Sequence, residues 1–87
     1  MKKIFHERLE LKKEERFSAL DRIAALSNTL TGQQMALARY IYQNPEKSAF
    51  FNSVQLSEVA RVSTPTVVRL AVKLGFKGFP EFQEALR

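Results

Sequence analysis

Apolar residues recur along most of this chain at the spacing of a helix, three or four apart. Nowhere do they alternate with period two for long enough to suggest a sheet. Phe17, Leu20, Ile23 and Ala24 share one predicted helical face, with Leu26 and Leu30 after them. Ser27-Asn28-Thr29 breaks that run. Thr31 then reads as an N-cap, and Gln34 completes a capping box with it. The helix they open runs to about Gln43, with Leu37, Ala38 and Ile41 as its inner stripe and Met35 and Tyr42 on the flanks. Asn44-Pro45 ends it and starts a short helix through Lys47, Ala49 and Phe50, since Pro at a first helical position loses no hydrogen bond.

Asn52, with Gln55 at the capping-box distance, opens the next helix. It is expected to turn Leu56, Val59 and Ala60 inward and to end near Arg61. After the tight connection Arg61-Val62-Ser63, Ser63 caps a helix over 64–74 that tolerates Pro65 in its first turn. Val67, Leu70, Ala71 and Leu74 form its i, i+3, i+4, i+7 inner set. Gly75 falls where a left-handed residue is wanted, and Phe76 can make the accompanying apolar contact. Lys77-Gly78-Phe79 reads as a turn, and Pro80 opens a last helix through Phe82 and Leu86. The expected fold is all-α: a compact bundle of about five to six helices containing a helix-turn-helix. Residues 17–87 are its domain, and residues 1–16 a charged, helical N-terminal extension in which Ile4, Phe5, Leu9 and Leu11 are scattered. With no stop signal after the last helix, the chain reads as the front part of something longer.

The helix-turn-helix expectation rests on residues 53–72. Two short helices joined by three or four residues must meet apolar face to apolar face, and their backbones cross closely. Leu56 and Ala60 supply the first face, Ser57 the small residue at the crossing, Val62 the anchor in the turn, and Val67 and Leu70 the second face. Arg61 stands where the turn wants a left-handed residue, the position glycine fits best. It is either a tolerated strain of roughly 1 kcal/mol or a phosphate contact bought at that strain.

Composition narrows the chemistry. With no cysteine among 87 residues, disulfides, cysteine zinc sites and thiol catalysis are excluded. The single histidine, His6, lies in the charged N-terminal segment, so no catalytic, metal or cofactor site is expected. No apolar run approaches the ~20 residues of a membrane span, nor is there a signal-peptide pattern, so a cytoplasmic protein without membrane partners is expected. The net charge of +5 is unevenly spread: residues 17–60 are neutral, whereas 61–79 hold Arg61, Arg69, Lys73 and Lys77 and no acid. That concentration is either a solvated basic face or a phosphate-binding surface.

On a helical wheel, the side of the 64–74 helix opposite its apolar stripe carries Pro65, Arg69, Val72 and Lys73, with Thr66 and Val68 at the margins. In a helix-turn-helix this face enters the major groove. Arg69 can take guanine O6 and N7 with two hydrogen bonds, or grip a phosphate. Thr64 and Thr66 can donate to phosphates beside the free N–H groups of the helix start. Pro65 and Val68 can pack on thymine methyl groups, and Lys73 and Lys77 suit backbone phosphates. With Arg61 and Ser63 these are the candidate DNA-binding residues. A helical protein-interaction module is the alternative reading. An enzyme is disfavoured, because Glu58 and Glu81, the only carboxylates bracketing the motif, read more simply as solvated helix residues.

The run Val62-Ser63-Thr64-Pro65-Thr66-Val67-Val68-Arg69-Leu70, followed by Lys73-Leu74-Gly75-Phe76-Lys77-Gly78-Phe79 and Glu81-Phe82, resembles the RpiR family of bacterial transcriptional regulators. Upstream, Leu30-Thr31, Ala38, Tyr40-Ile41 and Asn44-Pro45-Glu46 fit the same pattern. Arg61, Pro65 and Pro80 depart from what is usual there. The resemblance implies an N-terminal DNA-binding domain. It also implies a regulator of sugar or phosphosugar metabolism, whose effector binds a separate C-terminal sugar isomerase-type domain that this chain lacks. Helix-turn-helix domains commonly read near-palindromic operators as dimers, so a homodimer on double-stranded DNA is expected, with Phe5, Leu9 and Phe17 as candidate dimer contacts.

Overall fold

The computed structural model describes residues 18–87, and every described regular element is helical. In chain order these are α1 (18–26), a 3-10 turn at Ser27–Thr29, α2 (Gly32–Gln43), α3 (Pro45–Phe50), α4 (Ser53–Ala60), α5 (Thr64–Lys73) and α6 (Phe79–Leu86). The proposed helix over 1–16 and the placement of Phe5, Leu9 and Phe17 lie outside the described residues.

The boundaries follow the caps. Thr31 accepts from the Gln34 N–H while the Gln34 side chain accepts from the Thr31 N–H, and Asn52 and Gln55 repeat the arrangement at α4. Ser63 caps α5, and proline sits in the first turn of α3, α5 and α6. In α6 the helix begins one residue earlier than Pro80, at Phe79, which is buried rather than part of a turn.

One core serves all six helices. Ile23 of α1, Leu37, Ala38 and Ile41 of α2, Leu56 of α4, Val67, Leu70 and Ala71 of α5, and Phe82 and Leu86 of α6 are all buried in it. Phe82 anchors the α6 side, with its ring 5.3 Å from that of Phe76 and 6.4 Å from that of Phe79. Two predicted inward residues face out. Ala24 is exposed and Ala19, five residues earlier, takes the core position on α1. Val59 is 43% exposed, and Ser57 occupies the buried position beside Leu56. α4 packs chiefly against α5 and α2, and on a helix of two turns that narrow contact takes one stripe. Ser57 belongs to it because a larger side chain would hold the helices apart.

The C-terminal carbonyls of α3 are satisfied from α6. Gln83 donates to the Phe51 carbonyl at 2.5 Å, and Arg87 Nε donates to that of Ala49 at 3.4 Å. α6 thereby closes the bundle on the side away from the outer face of α5.

Candidate nucleic-acid interface

The α4–turn–α5 unit has the geometry of a helix-turn-helix. Leu56 and Ser57 of α4 are buried toward Val67 and Leu70 of α5, and Val62 is half-buried in the connection. Ser57 Oγ donates to the Val54 carbonyl at 2.6 Å and lies 3.2 Å from Thr64 Oγ1, so a hydroxyl pair bridges the crossing. Arg61 is left-handed, with φ 58° and ψ 46°, and among the described residues it is the one non-glycine with positive φ. The Val62 N–H reaches the Ser57 carbonyl at 2.9 Å and the Arg61 N–H reaches that of Glu58 at 3.2 Å. These are the two bonds of a Schellman end, so the turn follows directly from how α4 terminates.

Pro65, Val68, Arg69, Val72 and Lys73 are exposed along one face of α5. Arg61, Ser63 and Lys77 are exposed as well, and Thr64 is half-buried. Lys77 sits in the loop after α5, where its backbone N–H donates to Glu81 Oε2 at 2.8 Å and ties the loop to the first turn of α6.

Thr66 departs from its expected place. It is buried, 7% exposed, and its hydroxyl donates to Gln33 Oε1 at 2.9 Å. At 100° per residue Thr66 stands only about 40° from Leu70, so it belongs to the inner stripe rather than the outer margin. Its hydroxyl is therefore not available to a phosphate. It also lies 2.7 Å from Ser63 Oγ, which accepts from the Thr66 N–H at 3.3 Å. Since Thr66 donates to Gln33, the Ser63 hydroxyl is the donor in that pair. Thr66 thus holds the start of α5 against α2.

The far end of α5 is held from the same side. Lys73 Nζ donates to the Thr29 carbonyl at 2.5 Å and lies 3.4 Å from Gln34 Oε1. Two residues at the start of α2 and one in the preceding turn therefore brace both ends of the helix. Local pattern does not reveal Gln33. It is an exposed polar residue near a helix start, 33 positions from Thr66, and only the packing of α2 on α5 joins them. Lys73 is a partly committed cation, whereas Arg61 and Arg69 carry their charge on exposed side chains.

α5 ends at a second Schellman arrangement. The Phe76 N–H bonds the Ala71 carbonyl at 3.1 Å and the Gly75 N–H that of Val72 at 2.9 Å, with Gly75 at φ 96°. Arg22 of α1 closes over it, donating Nη1 to the Leu74 carbonyl at 3.2 Å and stacking 5.0 Å from the Phe76 ring centroid. A cation at a helix C-terminus is favoured by the helix dipole as well.

Among the described residues no three His, Cys, Asp or Glu side chains are grouped to hold a metal, and no helix is long and apolar enough to cross a membrane.

Known proteins share this arrangement. The structure superposes on the crystal structure of the N-terminal domain of ybbH from Bacillus subtilis subsp. subtilis str. 168 with a TM-score of 0.74 and 29% identity, covering 78% of this chain and 83% of that one. The sequence is 38% identical over 69 residues to the HTH-type transcriptional regulator YfhH of Escherichia coli (strain K12). That match covers 79% of this chain and 24% of YfhH, so the chain spans about a quarter of that relative's length. The family model for the helix-turn-helix domain of the rpiR family matches residues 17–87. A match over most of the chain, with the fold and the α4–α5 geometry in agreement, places this protein in the rpiR family of helix-turn-helix domains.

Proposed function

We propose that this domain binds double-stranded DNA in a sequence-selective way, with α5 in the major groove, as the reading head of a transcriptional regulator. The observation that carries the reading is the exposed face of α5 together with the run 61–79, which holds four cations and no carboxylate. Membership in a helix-turn-helix family of transcriptional regulators supports it and points away from an enzyme.

In this reading Arg61 and Lys77 flank α5 and take phosphates on either side of the groove, with Lys73 as a third, more constrained contact. Ser63 and Thr64 lie at the helix start, where the positive end of the helix dipole favours a phosphate. Pro65, Val68 and Arg69 face the bases. Thr66 positions the helix through Gln33 and touches no DNA. The unit acts as a homodimer on a two-fold site, in the cytoplasm. The effector is a phosphosugar held by a separate sugar isomerase-type domain, which ties DNA binding to carbohydrate metabolism.

Salt dependence tests the core of the proposal. Each phosphate neutralised contributes about −0.9 to the slope of log affinity against log salt, so the cations of one domain give about −3 to −4. A slope near zero would falsify DNA binding and leave a protein-interaction module as the better account. Analytical ultracentrifugation on a two-fold duplex tests the dimer; one chain per duplex at saturation rules it out.

A further inference from the structure

The outer face of α5 is unusually poor in hydrogen-bonding groups for a helix that reads bases. Pro65, Val68 and Val72 lie at i, i+3 and i+7 and form an exposed aliphatic stripe, with Val68 42% and Val72 54% exposed. Arg69 flanks that stripe, and Lys73, the other polar side chain of the face, is directed back to the Thr29 carbonyl. The hydroxyls at the helix start are already engaged inside the protein: Ser63 with Thr66, Thr66 with Gln33, and Thr64 with Ser57. Gln33 is the amide beside this end of the helix, and its carbonyl oxygen is engaged by Thr66.

Base chemistry then limits what the face can distinguish. Adenine is read by an amide that accepts from N6 and donates to N7, and cytosine by a carboxylate that accepts from N4. The stripe offers neither. A fork of N–H donors meets guanine O6 and N7, and an aliphatic surface meets the C5 methyl of thymine. Arg69 supplies the first, and the two valines the second.

We infer that α5 reads its half-site through thymine methyl groups packed on Val68 and Val72, beside a single guanine taken by Arg69. This rests on the proposed major-groove binding and goes beyond it. It names Val72 as a specificity residue and states the composition of the site: T·A pairs flanking one G·C pair. The preference for thymine is apolar, so it does not depend on salt, whereas the phosphate contacts do.

The experiment uses the full 87-residue chain and the tightest duplex selected from a random pool. Thymines of that duplex are replaced one at a time by deoxyuridine, which removes the methyl and leaves every hydrogen-bonding group in place. A methyl buried on a valine is worth about four-fold in affinity. The expected result is a loss of about that size at one or two thymines per half-site. Val68→Ala and Val72→Ala should each lose the discrimination at one thymine, and in the double variant thymine and deoxyuridine duplexes should be bound nearly alike, with the salt slope unchanged. Both valines are exposed and alanine favours helix, so the variants are expected to fold. 5-Methylcytosine placed at a sensitive position should recover part of the methyl contribution. Equal binding of thymine and deoxyuridine duplexes by the original chain, with a normal salt slope, overturns the inference and leaves DNA binding standing. Loss of the salt slope itself overturns both.

Discussion

α4 and α5 end in the same way but on different residues. Each closes with the same pair of backbone bonds, and each then turns through a left-handed residue into a half-buried apolar one. At the end of α5 the left-handed residue is Gly75, and at the end of α4 it is Arg61. Glycine enters this region without a steric penalty, whereas a side chain costs about 1–2 kcal/mol. The surroundings differ as well. A Cβ on Gly75 would stand 3.5 Å from Arg22 Nη1, within the clamp that Arg22 makes over Leu74 and Phe76. Arg61 is exposed at the mouth of the helix-turn-helix. One end is built for closure against α1. The other accepts strain and carries an exposed cation at the edge of the proposed DNA face.

The contrast is tested most severely at the residues after each turn. Phe76→Ala is expected to destabilise the domain by about 2–3 kcal/mol, somewhat less than truncating a fully buried phenylalanine. Val62→Ala, at the equivalent place after α4, is expected to cost about 1 kcal/mol, because fewer atoms leave a half-buried site. Urea denaturation reads both, and equal losses would mean the α5 end is not the more tightly packed. Next come the left-handed residues themselves. Gly75→Ala should lower stability by about 1–2 kcal/mol, and Arg61→Gly should raise it by about 1 kcal/mol.

Arg61 also separates strain from contact. Arg61→Gly should be more stable than the original chain yet bind duplexes more weakly, with a salt slope shallower by about 0.9. Arg61→Ala keeps most of the backbone strain and should show the same change in slope without the gain in stability. A glycine variant that binds with an unaltered slope would reduce Arg61 to a tolerated oddity. The smallest effect is expected at Arg22→Ala, about 0.5–1 kcal/mol, from one exposed cation–aromatic contact and one carbonyl bond. Thermal unfolding in low and high salt checks it, and no change would show that Phe76 holds the α5 end alone.

Much of this molecule is legible in local pattern. Thr31 with Gln34 and Asn52 with Gln55 are complete instructions within four residues, and both capping boxes form as the spacing predicts. The apolar set Val67, Leu70, Ala71 and Leu74 is buried as a unit. The small Ser57 at the helix crossing and the left-handed Arg61 were legible for the same reason: a helix-turn-helix makes steric demands at known offsets. The misassignments are of one kind. Val59, Ala24 and Thr66 lie where a helical face ends, and a wheel ranks such residues by angle alone. Which side of the boundary they take depends on where the neighbouring helix sits. For Thr66 that neighbour is α2, whose Gln33 offers a hydrogen-bond acceptor to a buried hydroxyl that would otherwise be costly.

The sequence by itself determined the helices, their caps, the turn between α4 and α5, and the acid-free basic run that lies on them. Each of these is settled by residues within a few positions of one another. Only the tertiary structure decided which cations find a partner far along the chain. Lys73 reaches back 44 residues to the Thr29 carbonyl, Thr66 reaches 33 to Gln33, and Arg22 spans 52 to cap α5. The physical reason is the reach of the chain: a buried polar group takes whichever partner the packing brings near, and no local pattern encodes a neighbour contributed by another helix.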